Sequence, residues 1–180
     1  MWKNWQADAY YHSVEKVPLE NYYKQGYRLL LLDIDNTLAI HGSQVSQAYA
    51  QDQLRRVREI GYDVYVLSNA LRDRAQSFGK SLDPKLKVIG DARKPGTRGI
   101  EEALAKANMP REQALLVGDQ IFTDVWAGKR ANIRVVQVDP LSLNEPWYIR
   151  LKRMGERLVR FISGNSAYYD RILAQKEQLP

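Results

Sequence analysis

The chain of 180 residues contains no cysteine, only two histidines and no long hydrophobic run. Without cysteine, the protein cannot form a disulfide framework, a thiolate zinc site or a cysteine nucleophile. No segment reaches the ~20 consecutive apolar residues that a membrane-spanning helix requires. The N-terminus also lacks the basic, apolar and small-residue regions of a secretory signal peptide. These absences predict a cytoplasmic protein, either free or peripheral at the inner membrane face.

The composition is that of a globular protein, with 44% hydrophobic and 27% charged residues. The length predicts a single domain over residues 1–180, with its core at about 26–140 and a basic helical segment at about 145–176. The 27 Lys and Arg residues exceed the 21 Asp and Glu residues, which gives a formal net charge of +6. This excess indicates an anionic partner, which charge alone leaves open as nucleic acid, an anionic membrane surface or a phosphorylated substrate.

The most informative stretch is an unbroken apolar run at residues 29–32, followed by Asp33, Asp35, Asn36 and Thr37. A short apolar run without alternation predicts a strand that is covered on both faces, as in the middle of a parallel sheet. Carboxylates that follow such a strand lie at the carboxyl edge of the sheet, where open α/β folds bind their ligands.

Strands and helices are predicted to alternate along the rest of the core. This alternation indicates a parallel sheet with right-handed crossovers, which is the α/β class. The predicted strands are residues 29–32, 62–67, 86–89, 114–117 and 133–138, and the predicted helices are 46–60, 71–78, 97–107 and 123–131.

Polar residues follow four of these strands, so a parallel sheet brings them together at one edge. They are Asp33 and Asp35, then Ser68 and Asn69, then Lys94, then Asp119 and Asp124. Several carboxylates suit Mg²⁺, which prefers hard oxygen ligands and keeps waters and substrate phosphate oxygens. Zinc is not expected, because neither histidine lies on these turns. A lysine can hold a phosphoryl oxygen, one aspartate can act as nucleophile and a second can transfer the proton.

In their order along the chain, these motifs resemble those of the haloacid dehalogenase (HAD) superfamily phosphatases. The set is specific, although any single motif would be weak. The chain is further similar to the YqeG-type HAD subfamily IIIA phosphatases. This narrower resemblance is carried by the sequences at residues 92–95 and 118–124, by the short chain and by the basic C-terminal segment. The YqeG-type enzymes are related to the phosphatidylglycerophosphate phosphatases. The resemblance implies a three-layer Rossmann-like HAD fold with a central parallel sheet.

The resemblance also implies a role for each motif residue. Asp33 is the expected nucleophile, and Asp35 is the expected acid and base. The remaining expectations are phosphate binding by Ser68, Asn69 and Lys94, and Mg²⁺ binding by Asp33, the backbone carbonyl of Asp35, Asp119 and Asp124.

The resemblance also implies that substrates are chosen largely through inserted cap domains. In this sequence, neither of the two positions for such an insertion has room for a sizeable cap. Residues 38–44 separate the first motif from its helix, and one helix and one strand fill the interval from Asn69 to Lys94. An open site suits a phosphate on a large or membrane-bound molecule. We therefore expect Mg²⁺-dependent hydrolysis of phosphatidylglycerophosphate to phosphatidylglycerol through an aspartyl-phosphate intermediate.

Two other functions remain open. One is the same chemistry on a soluble phosphate ester or phosphoprotein, and the other is a non-catalytic, receiver-like module that is phosphorylated on aspartate. No nucleic-acid-binding module accompanies the positive charge. The oligomeric state is not predicted.

Two terminal segments have two readings each. The N-terminal aromatic residues either anchor the protein at a lipid interface or pack on the domain. They are Trp2, Trp5, Tyr10 and Tyr11. The basic amphipathic segment near residues 147–162 lies either on an anionic bilayer or on the sheet. Three arginines, at positions 72, 74 and 93, are expected near the catalytic edge, where they could contact lipid phosphates. Taken singly, each is expected to be an ordinary solvated surface residue.

Overall fold

The computed structural model describes residues 5–40, 48–142 and 155. Its centre is a six-stranded sheet in the order β1-β6-β5-β2-β3-β4, in which every neighbouring pair is parallel. The strands are β1 (Ala9–Tyr11), β2 (Leu29–Leu32), β3 (Asp63–Leu67), β4 (Lys87–Ile89), β5 (Ala114–Gly118) and β6 (Arg134–Val138). The helices are α1 (Leu19–Lys24), α2 (Ala48–Ile60), α3 (Arg72–Leu82), α4 (Arg98–Ala107) and α5 (Trp126–Arg130).

The apolar run forms β2, which lies between β3 and β5 near the middle of the sheet. Leu30 and Leu32 pack into one apolar cluster with residues of α1, α2 and α3. Leu29 and Leu31 pack into a second cluster with residues of α4 and α5. Because successive side chains of a strand point to opposite faces, four consecutive leucines fill both sides of the sheet. The result is the expected three-layer α/β fold.

The structure adds one strand to the five predicted. β1 pairs with β6 in parallel register at the edge of the sheet, where we predicted no strand. Its three residues are half-buried, so the segment lacks the apolar run that marks a central strand. Trp5 packs near Phe122 and Trp126, and Tyr11 packs on the first cluster. The described N-terminal aromatic residues therefore pack on the domain.

Among the described residues, two helices differ from their predicted bounds by more than one residue. α3 continues four residues past the predicted end, to Leu82. Phe78 and Gly79 are buried, so the helix is still packed on the core at the position where we predicted its end. The predicted helix at 123–131 is divided into a π-helical turn, Ile121–Val125, and the short helix α5. Wide turns of this kind occur often at functional sites, and this one carries Asp124.

Between β3 and β4 the described chain contains α3 and no further domain. Residues 41–47, at the other insertion point, lie outside the described residues, as does nearly all of the predicted C-terminal basic segment. Gly155 is the exception, and it lies against the ring of Phe122. None of the helices in the described part has the length and apolar character needed to cross a bilayer.

Candidate active site

The first motif forms a tight turn directly after β2. The carbonyl of Ile34 accepts hydrogen bonds from the backbone N–H groups of Thr37, Leu38 and Ala39. Asn36 has a φ of 62°, in the left-handed region that asparagine tolerates better than most residues. Within this turn Asp33 is buried while Asp35 is half-buried.

Lys94 links the first motif to the fourth. Its Nζ donates to Asp33 Oδ1 at 2.6 Å, to Asp124 Oδ1 at 2.6 Å and to the carbonyl of Leu67 at 2.9 Å. An ammonium group has three protons, so these three acceptors satisfy it. The Lys94 side chain is only 2% exposed. The lysine is therefore a fixed positive charge between two carboxylates.

Burial and neighbouring charges alter the proton affinity of these groups. Burial raises the pKa of Asp33 to about 7; the charge of Lys94 opposes the rise, and the charges of Asp124 and Asp35 add to it. Burial alone would lower the pKa of Lys94, but Asp124 and Asp33 together raise it above its usual value. Lys94 therefore stays charged, and the fold disfavours the ionised form of Asp33.

The fourth motif places two more carboxylates beside Asp33. Asp119 follows β5, and Asp124 lies in the π-helical turn. The Oδ2 atom of Asp124 accepts a hydrogen bond from the backbone N–H of Gln120 at 3.1 Å. Asp33, Asp119 and Asp124 are all buried, and each offers an oxygen within 4.8 Å of the other two.

This arrangement fits a divalent cation. Three carboxyl groups lie together with a single ammonium, so ionising all three would leave negative charge that one lysine does not balance. Buried charges are costly unless they are paired or bind a metal. The donors are all carboxylate oxygens, the ligand type that Mg²⁺ prefers. We call Asp33, Lys94, Asp119 and Asp124 the inner cluster.

Asp35 has a different partner. Arg74 Nη1 donates to Asp35 Oδ2 at 3.0 Å, and Arg74 Nη2 donates to Asp35 Oδ1 at 2.5 Å. The Arg74 side chain is 22% exposed and the Asp35 side chain is 15% exposed. Arg74 is therefore not the solvated surface residue that we expected, whereas Arg72 is exposed. We call Asp35 and Arg74 the outer pair.

The second-motif residues lie beside the lysine. Ser68 is buried, and its Oγ accepts a hydrogen bond from the backbone N–H of Ala70 at 3.1 Å. Asn69 Nδ2 donates to the Lys94 carbonyl at 2.8 Å, and the Lys94 N–H donates to Asn69 Oδ1 at 2.7 Å. Asn69 thus fixes the backbone of Lys94, next to a cis peptide bond between Lys94 and Pro95. All seven predicted site residues lie at the carboxyl edge of the sheet.

Two residues to which sequence reasoning gave no role support this site. Gln137 is buried in β6 and donates from Nε2 to the carbonyl of Asp119 at 2.9 Å. The signal was available, because Gln137 is an amide within an otherwise apolar stretch of strand. Gly118 is the second, since a Cβ atom there would lie 2.4 Å from Cγ of Asp124. Its signal is a glycine immediately before the metal-ligand motif.

Comparisons with known sequences agree with these motifs. A family model of HAD-hydrolase-like proteins matches residues 91–140. The chain is 24% identical over 152 residues to the probable phosphatase YqeG of Bacillus subtilis (strain 168), an alignment that covers 84% of this chain and 87% of YqeG. It is 27% identical over 138 residues to the phosphatidylglycerophosphate phosphatase 1, chloroplastic/mitochondrial, of Arabidopsis thaliana, covering 72% of this chain and 40% of that protein.

Comparisons with solved structures support the fold. The hypothetical protein XCC2798 from Xanthomonas campestris matches with a TM-score of 0.51 and 16% identity, covering 92% of this chain and 97% of that one. An uncharacterized protein from Listeria monocytogenes serotype 4b matches with a TM-score of 0.50 and 16% identity, covering 66% and 85%. Together with the four ordered motifs, the sequence similarities identify the chain as a phosphoric monoester hydrolase that is similar to phosphatases of the haloacid dehalogenase superfamily.

Proposed function

We propose that the protein is a Mg²⁺-dependent phosphatase that acts at a membrane surface and converts phosphatidylglycerophosphate to phosphatidylglycerol. The observation that carries the choice of a lipid substrate is the position of the exposed apolar residues. Among the described residues, the large hydrophobic side chains that are exposed are Ile40 at 44%, Leu71 at 79% and Leu141 at 37%.

All three follow the carboxyl ends of strands, on the same edge as the catalytic motifs. Ile40 comes directly after the first-motif turn, and Leu71 directly precedes α3. Leu141 follows β6, and its backbone N–H donates to the carbonyl of Asn36 at 2.9 Å. Apolar side chains that are grouped at one edge mark an interaction surface more strongly than singly scattered ones do. We infer that they contact the apolar part of a bilayer around the site.

The proposed chemistry assigns separate tasks to the first-motif carboxylates. Asp33 attacks the phosphorus, the ester P–O bond breaks, and the leaving oxygen takes the proton of the Asp35 carboxyl group. The Asp35 carboxylate then takes a proton from a water molecule, and the oxygen of that water attacks the phosphorus of the aspartyl-phosphate. Inorganic phosphate leaves, and the Asp33 carboxylate is regenerated.

The other residues position and balance charge. Lys94 holds Asp33 by one oxygen and offers positive charge to the transferred phosphoryl group. Ser68 lies buried beside it and can donate to a phosphoryl oxygen. Asp33, Asp119, Asp124 and the carbonyl of Asp35 would hold Mg²⁺, which supplies positive charge for the phosphoryl oxygens when bound.

The relatives and the lack of a cap within the described residues support an open site for a large substrate. The similarity to a phosphatidylglycerophosphate phosphatase extends over 72% of this chain. A bilayer-bound headgroup reaches an open edge more easily than an enclosed pocket. Peripheral binding at the inner membrane face is part of this proposal.

The test is phosphate release from phosphatidylglycerophosphate in mixed micelles, measured beside a panel of soluble phosphate esters, with Mg²⁺ and with EDTA. We expect Mg²⁺-dependent release and a preference for the lipid. A strong preference for small soluble esters would contradict the lipid assignment. Stable phospho-aspartate without turnover would instead favour a receiver-like module.

The surface part of the proposal has its own test. Leu71→Ser should weaken co-sedimentation with phosphatidylglycerol vesicles and slow hydrolysis of the lipid, while activity on a soluble ester is kept. Leu82→Ser would disturb the core, so a better matched control is Gln76→Ser, an exposed position on the same helix. Equal behaviour of the Leu71 variant and the wild type on vesicles would refute the apolar contact.

A further inference from the structure

The outer pair presents a difficulty for the proposed chemistry. Asp35 must reach the leaving oxygen of the substrate, yet both of its carboxylate oxygens accept hydrogen bonds from Arg74. A bidentate guanidinium–carboxylate pair is among the stronger side-chain contacts, and its planar geometry fixes both groups. Asp35 therefore needs Arg74 to leave this geometry when substrate binds.

Arg74 is placed so that its side chain can change partner while its backbone stays fixed. It lies in the first turn of α3, whose Ala75 and Phe78 are buried in the first apolar cluster. A Cβ atom on Gly90 would lie 2.8 Å from the Cα of Arg72, so the start of this helix packs closely on the loop after β4. The guanidinium is a partly exposed group on a rigid helix.

The charges around Arg74 indicate what its second partner would be. The hydrogen bonds with Asp35 raise the pKa of Arg74 against the effect of burial, and the charge of Asp33 contributes as well. Arg74 thus lies within electrostatic range of the nucleophile. The outer pair is neutral by itself, so a substrate that brings an additional negative charge to this position competes directly with Asp35 for the guanidinium.

We propose that Arg74 is a specificity-determining residue that exchanges Asp35 for a second anionic group of the substrate, beyond the phosphate that is cleaved. The same exchange frees the Asp35 carboxyl group to face the leaving oxygen. The inference rests on the proposed phosphatase function and narrows it to substrates with two anionic groups. Guanidinium forms the same two-point contact with a phosphodiester as with a carboxylate.

The test compares two short-chain lipids that differ in this second group. Dihexanoyl phosphatidylglycerophosphate carries a phosphodiester beside the cleaved phosphate, and dihexanoyl phosphatidic acid carries only the cleaved one. We expect Arg74→Gln to raise KM for the first lipid by about tenfold and to change KM for the second by less than about twofold.

Two further variants separate specificity from structural damage. Arg72→Gln removes the same charge from an exposed position two residues earlier in the same helix turn, and it should not reproduce the selective rise in KM. Arg74→Lys keeps the charge without the two-point contact and should recover only part of the affinity. The binding constant can be measured without turnover in an Asp33→Asn background, which cannot form the intermediate. In that background Arg74→Gln should raise the calorimetric Kd for phosphatidylglycerophosphate by the same factor of about ten.

Three outcomes would overturn the inference. The first is that Arg74→Gln changes KM equally for both lipids, and the second is that it lowers kcat equally for both lipids. The third is that Arg72→Gln raises KM for phosphatidylglycerophosphate as much as Arg74→Gln does. Absence of phosphatase activity in the wild type on every substrate would instead contradict the proposed function, so the two failures are distinguishable.

Discussion

Asp33 and Asp35 are two residues apart, but their surroundings differ. Asp33 is 6% exposed and lies in the inner cluster, where Lys94 bridges Asp33 and Asp124 and a third carboxyl group, that of Asp119, lies close by. Asp35 is half-buried and forms a bidentate ion pair with Arg74. The inner cluster has three carboxyl groups to one ammonium and is suited to a further cation, while the outer pair joins one carboxylate to one guanidinium. The difference indicates that the inner cluster is built for a permanent positive partner and the outer pair for an exchangeable one.

The largest expected effect is the loss of activity in Asp33→Asn. Without the carboxylate no aspartyl-phosphate forms, so kcat should fall by at least about 10⁴-fold. The metal-free variant should be at least as stable as the wild type, because burial disfavours the ionised form of Asp33. Steady-state kinetics and thermal unfolding in EDTA measure the two effects. Retained activity would place the nucleophile elsewhere.

The next effect is on stability, in Lys94→Met. Removing the ammonium leaves the buried Asp33 and Asp124 without their shared counter-charge. Breaking a buried ion pair in this way costs about 3–5 kcal/mol of unfolding free energy. Urea unfolding of the metal-free protein measures the cost. Asp33→Asn combined with Lys94→Met should cost less than Lys94→Met alone, and an equal cost would show that Asp33 is not charged in the metal-free fold.

Most of the fold and the site could be predicted because their signals are local. The four leucines of β2 are apolar on both faces, and each motif follows a strand, so the parallel arrangement alone brings the motifs together. β1 could not be predicted in this way, because its residues are half-buried and its pairing with β6 joins distant parts of the chain. The π-helical turn, similarly, depends on how Asp124 bonds to Gln120 and Lys94.

The outer pair was missed for a related reason. Arg74 lies 39 positions after Asp35, and nothing in its local sequence distinguishes it from its exposed neighbour Arg72. Only the packing of α3 beside the first-motif turn selects one arginine over the other. Gln137 differs, since an amide in an apolar strand is visible in the sequence, and greater weight on that signal would have found it.

A smaller effect is expected from metal binding to the inner cluster. If Mg²⁺ binds the folded protein alone, a concentration of about 100 times its Kd adds about 2.7 kcal/mol to the unfolding free energy. Thermal unfolding with MgCl₂, compared with NaCl at equal ionic strength, measures this gain. Asp119→Asn should lose most of the gain, and Asp52→Asn, at an exposed position on α2, should keep it. A gain that persists in the Asp119 variant would place the cation outside the inner cluster.

The smallest expected effect is the coupling within the outer pair. A double-mutant cycle of Asp35→Asn and Arg74→Gln should give about 1 kcal/mol, because the pair is bidentate but partly exposed to water. The surface pair of Glu102 and Lys106, one helical turn apart on α4, should give about 0.3–0.5 kcal/mol. Urea unfolding of the metal-free proteins measures both cycles. A contact that is exchanged during each turnover has to be weaker than the permanent contacts of Lys94. A coupling above about 3 kcal/mol would therefore make the outer pair a structural element and contradict its release by substrate.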